Sequence, residues 1–167
     1  AAALDVLSDG RFRMGIGIGW NTVEYESLGL EFKDRGARSE EQIALMRALW
    51  TKESVNFEGR WHSIPDAGLN PLPIQQPIPI WLGGGADAVV KRIARIGDGW
   101  MPGWQPDEEG LKELDKLFAY AKEAGRDASD IGIDGRFTAD LATEDSWSDN
   151  VKAWNDIKAD SIEVNTM

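Results

Sequence analysis

Residues 77–102, PIPIWLGGGADAVVKRIARIGDGWMP, allow few architectures. Pro79 to Leu82 make a short apolar run of the kind a covered parallel strand needs. Gly83, Gly84 and Gly85 follow at once. Ala86, Val89, Val90, Ile93 and Ala94 then recur at i, i+3, i+4, i+7 and i+8, which predicts a helix with one apolar face. Lys91, Arg92 and Arg95 take the other face, toward the end where the helix dipole favours cations. Gly97-Asp98-Gly99 stops that helix and turns the chain into Trp100-Met101. The junction has two readings. Its glycines can let a ligand approach the backbone, with the first N–H groups of the helix seating a phosphate or carboxylate. They can equally serve only the geometry of a tight turn. Asp87 opposes the anion reading, because its carboxylate competes for the same field.

The rest of the chain continues the alternation. Residues 11–18, RFRMGIGI, alternate with period two: Phe12, Met14, Ile16 and Ile18 share one face, and Arg13, Gly15 and Gly17 the other. A glycine face on a strand leaves room for a flat group against the backbone. It is not a dinucleotide fingerprint, because the third glycine would fall at Trp20 or Thr22. Trp20-Asn21 ends the strand, with Glu24 and Tyr25 in the loop beyond. Ser39-Glu40-Glu41-Gln42 has the capping-box pattern and predicts a helix from there through Trp50, burying Ile43, Met46, Leu49 and Trp50. Arg35 and Arg38, just before it, read as solvated charge. Residues 107–125 predict a helix with Leu111, Leu114, Leu117, Phe118 and Ala121 on one face and Gly125 as its stop. A strand over residues 131–137, a helix marked by Trp147, Val151 and Trp154, and a strand at Ile162, Val164 and Thr166 complete the series. Five strands joined by helical crossovers require a parallel α/β sheet, either open and doubly wound or part of a (β/α)8 barrel.

Residues 52–79 interrupt the pattern with a ribbon turning at Glu58-Gly59 and a Pro-rich crossover. An excursion of that length points to a functional face. It contains His62, the only histidine. Local spacing places no carboxylate beside His62, so a surface position is expected rather than a general base.

Composition excludes several classes. The net charge is −11 and the basic residues are scattered, which argues against nucleic-acid binding. With no cysteine there is neither a disulfide framework nor a thiolate metal site. No apolar run reaches membrane length and no signal peptide is visible, so a cytoplasmic protein is expected. The 167 residues fit one domain. Because the first residues resemble a helix tail and the last follow a strand, both ends read as cuts through a larger domain.

Taken together, LDVLSDGRFRMGIGIGW, RGARSEEQIALMRALW, FEGRWHSI, NPLPIQQPIPIWLGGG and ARIGDGWMP resemble the luciferase-like monooxygenase superfamily, and most of all its branch of oxidoreductases dependent on coenzyme F420, a deazaflavin. The resemblance runs through nearly the whole chain in order. It implies a partial TIM barrel, with residues 1–167 supplying the fourth to the eighth strand. It implies hydride transfer between coenzyme F420 and a small organic substrate, with the cofactor across the C-terminal mouth. By the same resemblance, Gly83, Gly84, Gly85 and Ala88 hold the cofactor phosphate, and Gly17, Gly19, Trp20 and Asn21 lie beside the ring. Trp20, Trp100 and Trp104 each follow a strand and are expected as walls of the mouth, with Gly103 in the substrate pocket.

The chain departs from the family in two places. Trp20 stands where some members carry a glutamate used in acid–base chemistry, so no catalytic residue is assigned. Asp9 stands where a glycine is more usual. The alternatives are an FMN-dependent monooxygenase using oxygen and, in another class, a non-catalytic assembly subunit. The expected partner is a small molecule, and the full-length protein is expected to be a homo-oligomer. These residues alone are expected to be inactive and, with sheet edges open, prone to aggregate.

Overall fold

The computed structural model describes residues 1–139 and 144–166. Met167, the last residue of the predicted domain, lies outside them. The chain divides into two compact units, Ala1–Pro79 and the remainder from Ile80.

In the first unit, α1 (Ala2–Leu7) leads to β1 (Met14–Ile16), α2 (Thr22–Ser27), a 3-10 turn at Phe32–Asp34 and α3 (Arg35–Thr51). The antiparallel pair β2 (Val55–Glu58) and β3 (Ser63–Ala67) follows. The strand predicted over residues 11–18 shrinks to three residues, since glycine brings no side chain to hold a strand in place. The Pro-rich crossover is tied down by Asp5, whose carboxylate is fully buried. It accepts the Gln75 main-chain N–H at 2.9 Å and the Gln75 side-chain amide at 2.6 Å. Burial alone would raise the Asp5 pKa, but these hydrogen bonds outweigh it and hold the carboxyl below its ordinary value.

Further local expectations fail in this unit. Helix α3 starts at Arg35 rather than at Ser39, whose hydroxyl donates to the Gly36 carbonyl inside the helix at 2.7 Å. The earlier start follows from the 3-10 turn, which runs straight into α3. It also follows from Arg35, whose guanidinium stacks 3.6 Å over the Phe32 ring instead of facing solvent. Glu24 and Tyr25 lie in α2, not in a loop, because the Asn21 side chain caps that helix by accepting the Val23 N–H at 3.1 Å.

The second unit alternates β4 (Ile80–Gly83), α4 (Asp87–Ile96), β5 (Gly99–Met101), α5 (Glu108–Glu123), β6 (Gly132–Thr138), α6 (Glu144–Asp156) and β7 (Ser161–Asn165). These four strands form a parallel sheet in sequence order. Register assigns the faces. Trp81 pairs with Gly99 and Gly99 with Gly132, while Gly83 pairs with Met101, Asp134 with Ser161 and Arg136 with Glu163. Side chains alternate along a strand, so all of these share one face. Ile80, Leu82, Trp100, Ile133 and Phe137 take the other, and all five are buried.

Aspartates close the start of the sheet. Asp98 donates its N–H to the Ile80 carbonyl, and its carboxylate accepts the Ile80 N–H, both at 2.8 Å. Asp160 repeats both bonds with Ile133, again at 2.8 Å. Helix α4 ends against Arg126, whose guanidinium reaches the carbonyls of Ile93, Ala94 and Gly97 at 3.3, 3.1 and 2.8 Å. Arg92, expected on the polar face of α4, is buried instead, about 100° around the helix from Lys91, which meets Tyr120 of α5. Leu111 and Phe118, expected on the core face of α5, stay about two-fifths exposed, whereas Leu114, Leu117 and Ala121 are buried.

Arg126→Met removes a cation from three helix-terminal carbonyls. It is expected to cost about 2 kcal/mol in denaturant unfolding with little change in slope.

Candidate functional site

At the C-terminal ends of the second unit's strands lies a cavity of about 530 Å³. Gly83, Gly84 and Gly85 line one side, Met101, Gly103 and Trp104 the middle, and Asp134, Arg136 and Glu163 the far side, with Glu113 contributed by α5. Parallel sheets bind ligands at this end because the turns into helices gather there. A second cavity of about 560 Å³, lined by Leu114, Phe118, Ile131 and Ile133 among others, lies at the opposite, N-terminal end of β6.

The glycine turn is open and held from behind. Gly84 has φ +116°, a conformation side chains rarely adopt. A Cβ on Gly85 would meet nothing within 4 Å. The N–H groups of Val89 and Val90 both donate to the Ala86 carbonyl. The N–H groups of Asp87 and Ala88, at the start of α4, have no intrahelical acceptor. Both oxygens of the Asp87 carboxylate are engaged: Lys91 Nζ approaches one at 2.8 Å, and the Tyr120 hydroxyl donates to the other at 2.5 Å. Those bonds, Lys91 first and Tyr120 second, hold the Asp87 pKa below its ordinary value. The objection that Asp87 raises against an anion seat is thereby weakened.

The predicted site residues separate into groups. Gly83, Gly84, Gly85, Gly103 and Trp104 share the cavity. Ala88 is exposed in the first turn of α4 and does not line it. Trp100 is no cavity wall: it is fully buried, and its indole N–H donates to the Gly84 carbonyl at 2.8 Å. It faces the helices because its place in β5 points it away from Met101, so it braces the turn instead. In the first unit, Gly17 is open, Trp20 is 86% exposed, and the Tyr25 hydroxyl donates to the Ile18 carbonyl, holding the loop that carries them.

Arg136, Asp134, Glu163 and Glu113 were not anticipated. Alternation along β6 and β7 could have placed the first three on one face, but nothing local marks that face as a cavity. Two buried polar atoms of the wall have no hydrogen-bond partner, Trp104 Nε1 and Glu113 Oε2. Buried polar groups are ordinarily paired, so a ligand or an ordered water is the natural partner for each.

His62 does have a carboxylate beside it, contrary to expectation. Glu41, a helix away in sequence, lies 2.8 Å from His62 Nδ1 and accepts the N–H groups of Arg60, Trp61 and His62 at 2.7, 2.9 and 2.8 Å. A Cβ on Gly59 would lie 2.4 Å from the Glu41 carboxyl carbon, so only glycine admits the clasp. His62 thus belongs to the fastening of the ribbon to α3. Burial would raise the Glu41 pKa, but the His62 side chain and then the three N–H groups hold it below its ordinary value.

Comparison with known proteins follows the same lines. The family described as luciferase-like monooxygenase matches residues 1–156. An uncharacterised protein of Mycobacterium tuberculosis strain H37Rv is 40% identical over 149 residues, which are 84% of this chain and 49% of that protein. The F420-dependent glucose-6-phosphate dehydrogenase of Amycolatopsis mediterranei is 39% identical over 131 residues, 76% of this chain and 38% of its own length. The chain thus spans about half or less of these relatives. A solved F420-dependent secondary alcohol dehydrogenase, in complex with an F420–acetone adduct, shares the fold at TM-score 0.75 and 18% identity, covering 98% of this chain and 66% of the other. The α/β architecture expected, a parallel sheet with helical crossovers from a luciferase-like TIM barrel, is therefore the one present. Among the described residues no helix is long and apolar enough to cross a membrane, and no cluster of potential metal ligands occurs.

Two outcomes are expected. Because the folded Glu41 pKa is depressed, its contribution is complete above the ordinary carboxylate range and is lost as pH falls through the lower folded value. Hydrogen exchange at Arg60, Trp61 and His62, corrected for intrinsic rates, should therefore lose protection on acidification, and Glu41→Gln should abolish that pH dependence. Trp100→Phe should cost about 1 kcal/mol and raise exchange at Gly85 and Ala86 severalfold, with the sheet amides unchanged.

Proposed function

The chain belongs to the luciferase-like monooxygenase family, and from that premise we propose that it serves an oxidoreductase moving a hydride between coenzyme F420 and a small organic substrate. The observation that carries this reading is the open glycine turn at the head of α4, braced by Trp100 and set in the wall of a cavity at the C-terminal ends of the strands. The relative named as F420-dependent, at 39% identity, supports the choice of cofactor.

The residues present fit a phosphate-bearing cofactor. Gly83, Gly84 and Gly85 leave room for a phosphate against the backbone, and the first turn of α4, including the Ala88 N–H, offers donors on the positive end of the helix dipole. A bound deazaflavin supplies the carbon that accepts or gives the hydride. The chain's own part is to seat the phosphate, orient the cofactor with Met101 and Trp104, and keep water from the apolar middle of the cavity. Gly17, Gly19, Trp20 and Asn21 are the proposed ring contacts of the first unit. No acid or base is assigned.

Coenzyme F420 and FMN, titrated separately against the protein while its tryptophan fluorescence is followed, test the reading. F420 should quench with at least about tenfold higher affinity than FMN, and Gly84→Val should weaken it by at least about tenfold, since a branched side chain both strains the turn and fills the seat. Preference for FMN would replace the deazaflavin reading with the monooxygenase one. Binding of neither would remove both and favour an assembly role.

A further inference from the structure

We infer that Glu163 sets the charge of the substrate this cavity accepts, by occupying Arg136, and that the β6–β7 side takes an uncharged, hydroxyl-bearing compound rather than an anionic one. The inference rests on the reading of the cavity as the cofactor and substrate site. Among the described residues, Arg136 is the only cation lining the cavity. Its Nε and Nη2 both donate to one oxygen of Glu163, at 3.0 and 2.6 Å. The two residues are register partners on adjacent parallel strands, so the backbone itself holds them side by side. Both side chains remain more than half exposed, so a ligand can reach them.

The rest of that side favours hydrogen-bond donors over anions. Asp134 accepts the Ser161 hydroxyl at 2.6 Å on the strand pair just below. Glu113 gives one oxygen to Lys116 at 2.6 Å, while its other oxygen is buried without a donor. Three carboxylates against one engaged guanidinium repel an incoming anion, and a hydroxyl compound offers the donors that carboxylates lack. The glycine turn escapes this field. It ends β4, two strand spacings or roughly 10 Å from β6, so a phosphate there and a substrate here occupy different places.

The test follows the Arg136 Nε–H signal by NMR while inorganic phosphate is added at constant ionic strength to the wild type, Glu163→Gln and the Arg136→Gln, Glu163→Gln double variant. The Arg136 signal should respond only weakly in the wild type. In Glu163→Gln it should shift with an apparent affinity at least about tenfold tighter, as expected for removing a charge a few ångströms from a dianion. The other signals near the site should lose that gain in the double variant. Equal response in wild type and Glu163→Gln, or none in a folded Glu163→Gln, overturns the inference. Glycerol is the uncharged probe: it should move the amides of Asp134 and Glu163 in the wild type, and silence there overturns the hydroxyl assignment. The amides of Gly84, Gly85 and Ala88 report the proposed phosphate seat in the same spectra. If they ignore phosphate while Arg136 behaves as expected, the cofactor reading fails and the charge filter stands.

Discussion

Indole rings laid on glycine are the constraint on which the second unit depends. A Cβ on Gly99 or Gly132 would lie within 2.5 Å of Trp81, and one on Gly135 would lie 2.5 Å from Trp154. A Cβ on Gly110 would lie 2.7 Å from Trp104. Such distances do not occur, so each ring exists only because the glycine beneath it does. Trp81 spans two strands this way and forms a layer on the ligand face below the cavity. On the other face Trp104 stacks on Trp154 at 5.4 Å and meets Trp100 edge-on at 5.2 Å. That stack reaches the cavity at Trp104 and the glycine turn at Trp100, so the geometry of the site is a property of the packing behind it.

The site sets two fields against each other within one wall. At the glycine end, backbone donors and a helix dipole favour negative charge, and the carboxylate most able to spoil them is engaged by Lys91 and Tyr120. At the β6–β7 end, carboxylates predominate. A cavity divided in this way can orient a molecule with an anionic end and a hydroxylated end, because reversing it places charge where it is repelled.

Much of this was legible in the sequence and some was not, for reasons that can be named. Periodicity found every major strand and helix of the second unit, because each helix there has an apolar face, β4, β5 and β6 are covered, and β7 alternates at Ile162 and Val164. The glycine turn was legible as a junction. The roles of the tryptophans were not: three residues that each follow a strand look alike in sequence, yet Trp20 is exposed, Trp104 lines the cavity and Trp100 is sealed behind it. Only Trp100 lies within a strand, β5, where the pleat turns it away from the cavity; Trp20 and Trp104 sit in the loops beyond β1 and β5. Arg136 and Glu163 are 27 residues apart and meet only through strand register. His62 finds its carboxylate on α3, where the turn of the β2–β3 ribbon is fastened to that helix. Local pattern also misplaced the start of α3, where stacking of Arg35 on Phe32 outcompeted a capping motif.

The paired aspartates at Asp98 and Asp160 have a consequence for how such a chain takes shape. Each makes the same two bonds to the first residues of a strand already laid down, one from its backbone and one from its side chain. The alignment of a new strand is thus set by a residue that arrives just ahead of it, before the strand has formed a single rung of its own. A sheet built on such local keys can be extended one βα unit at a time as the chain emerges from synthesis. The units that begin with Asp98 and Asp160 also carry this alignment rule with them when a gene segment encoding them is copied or moved.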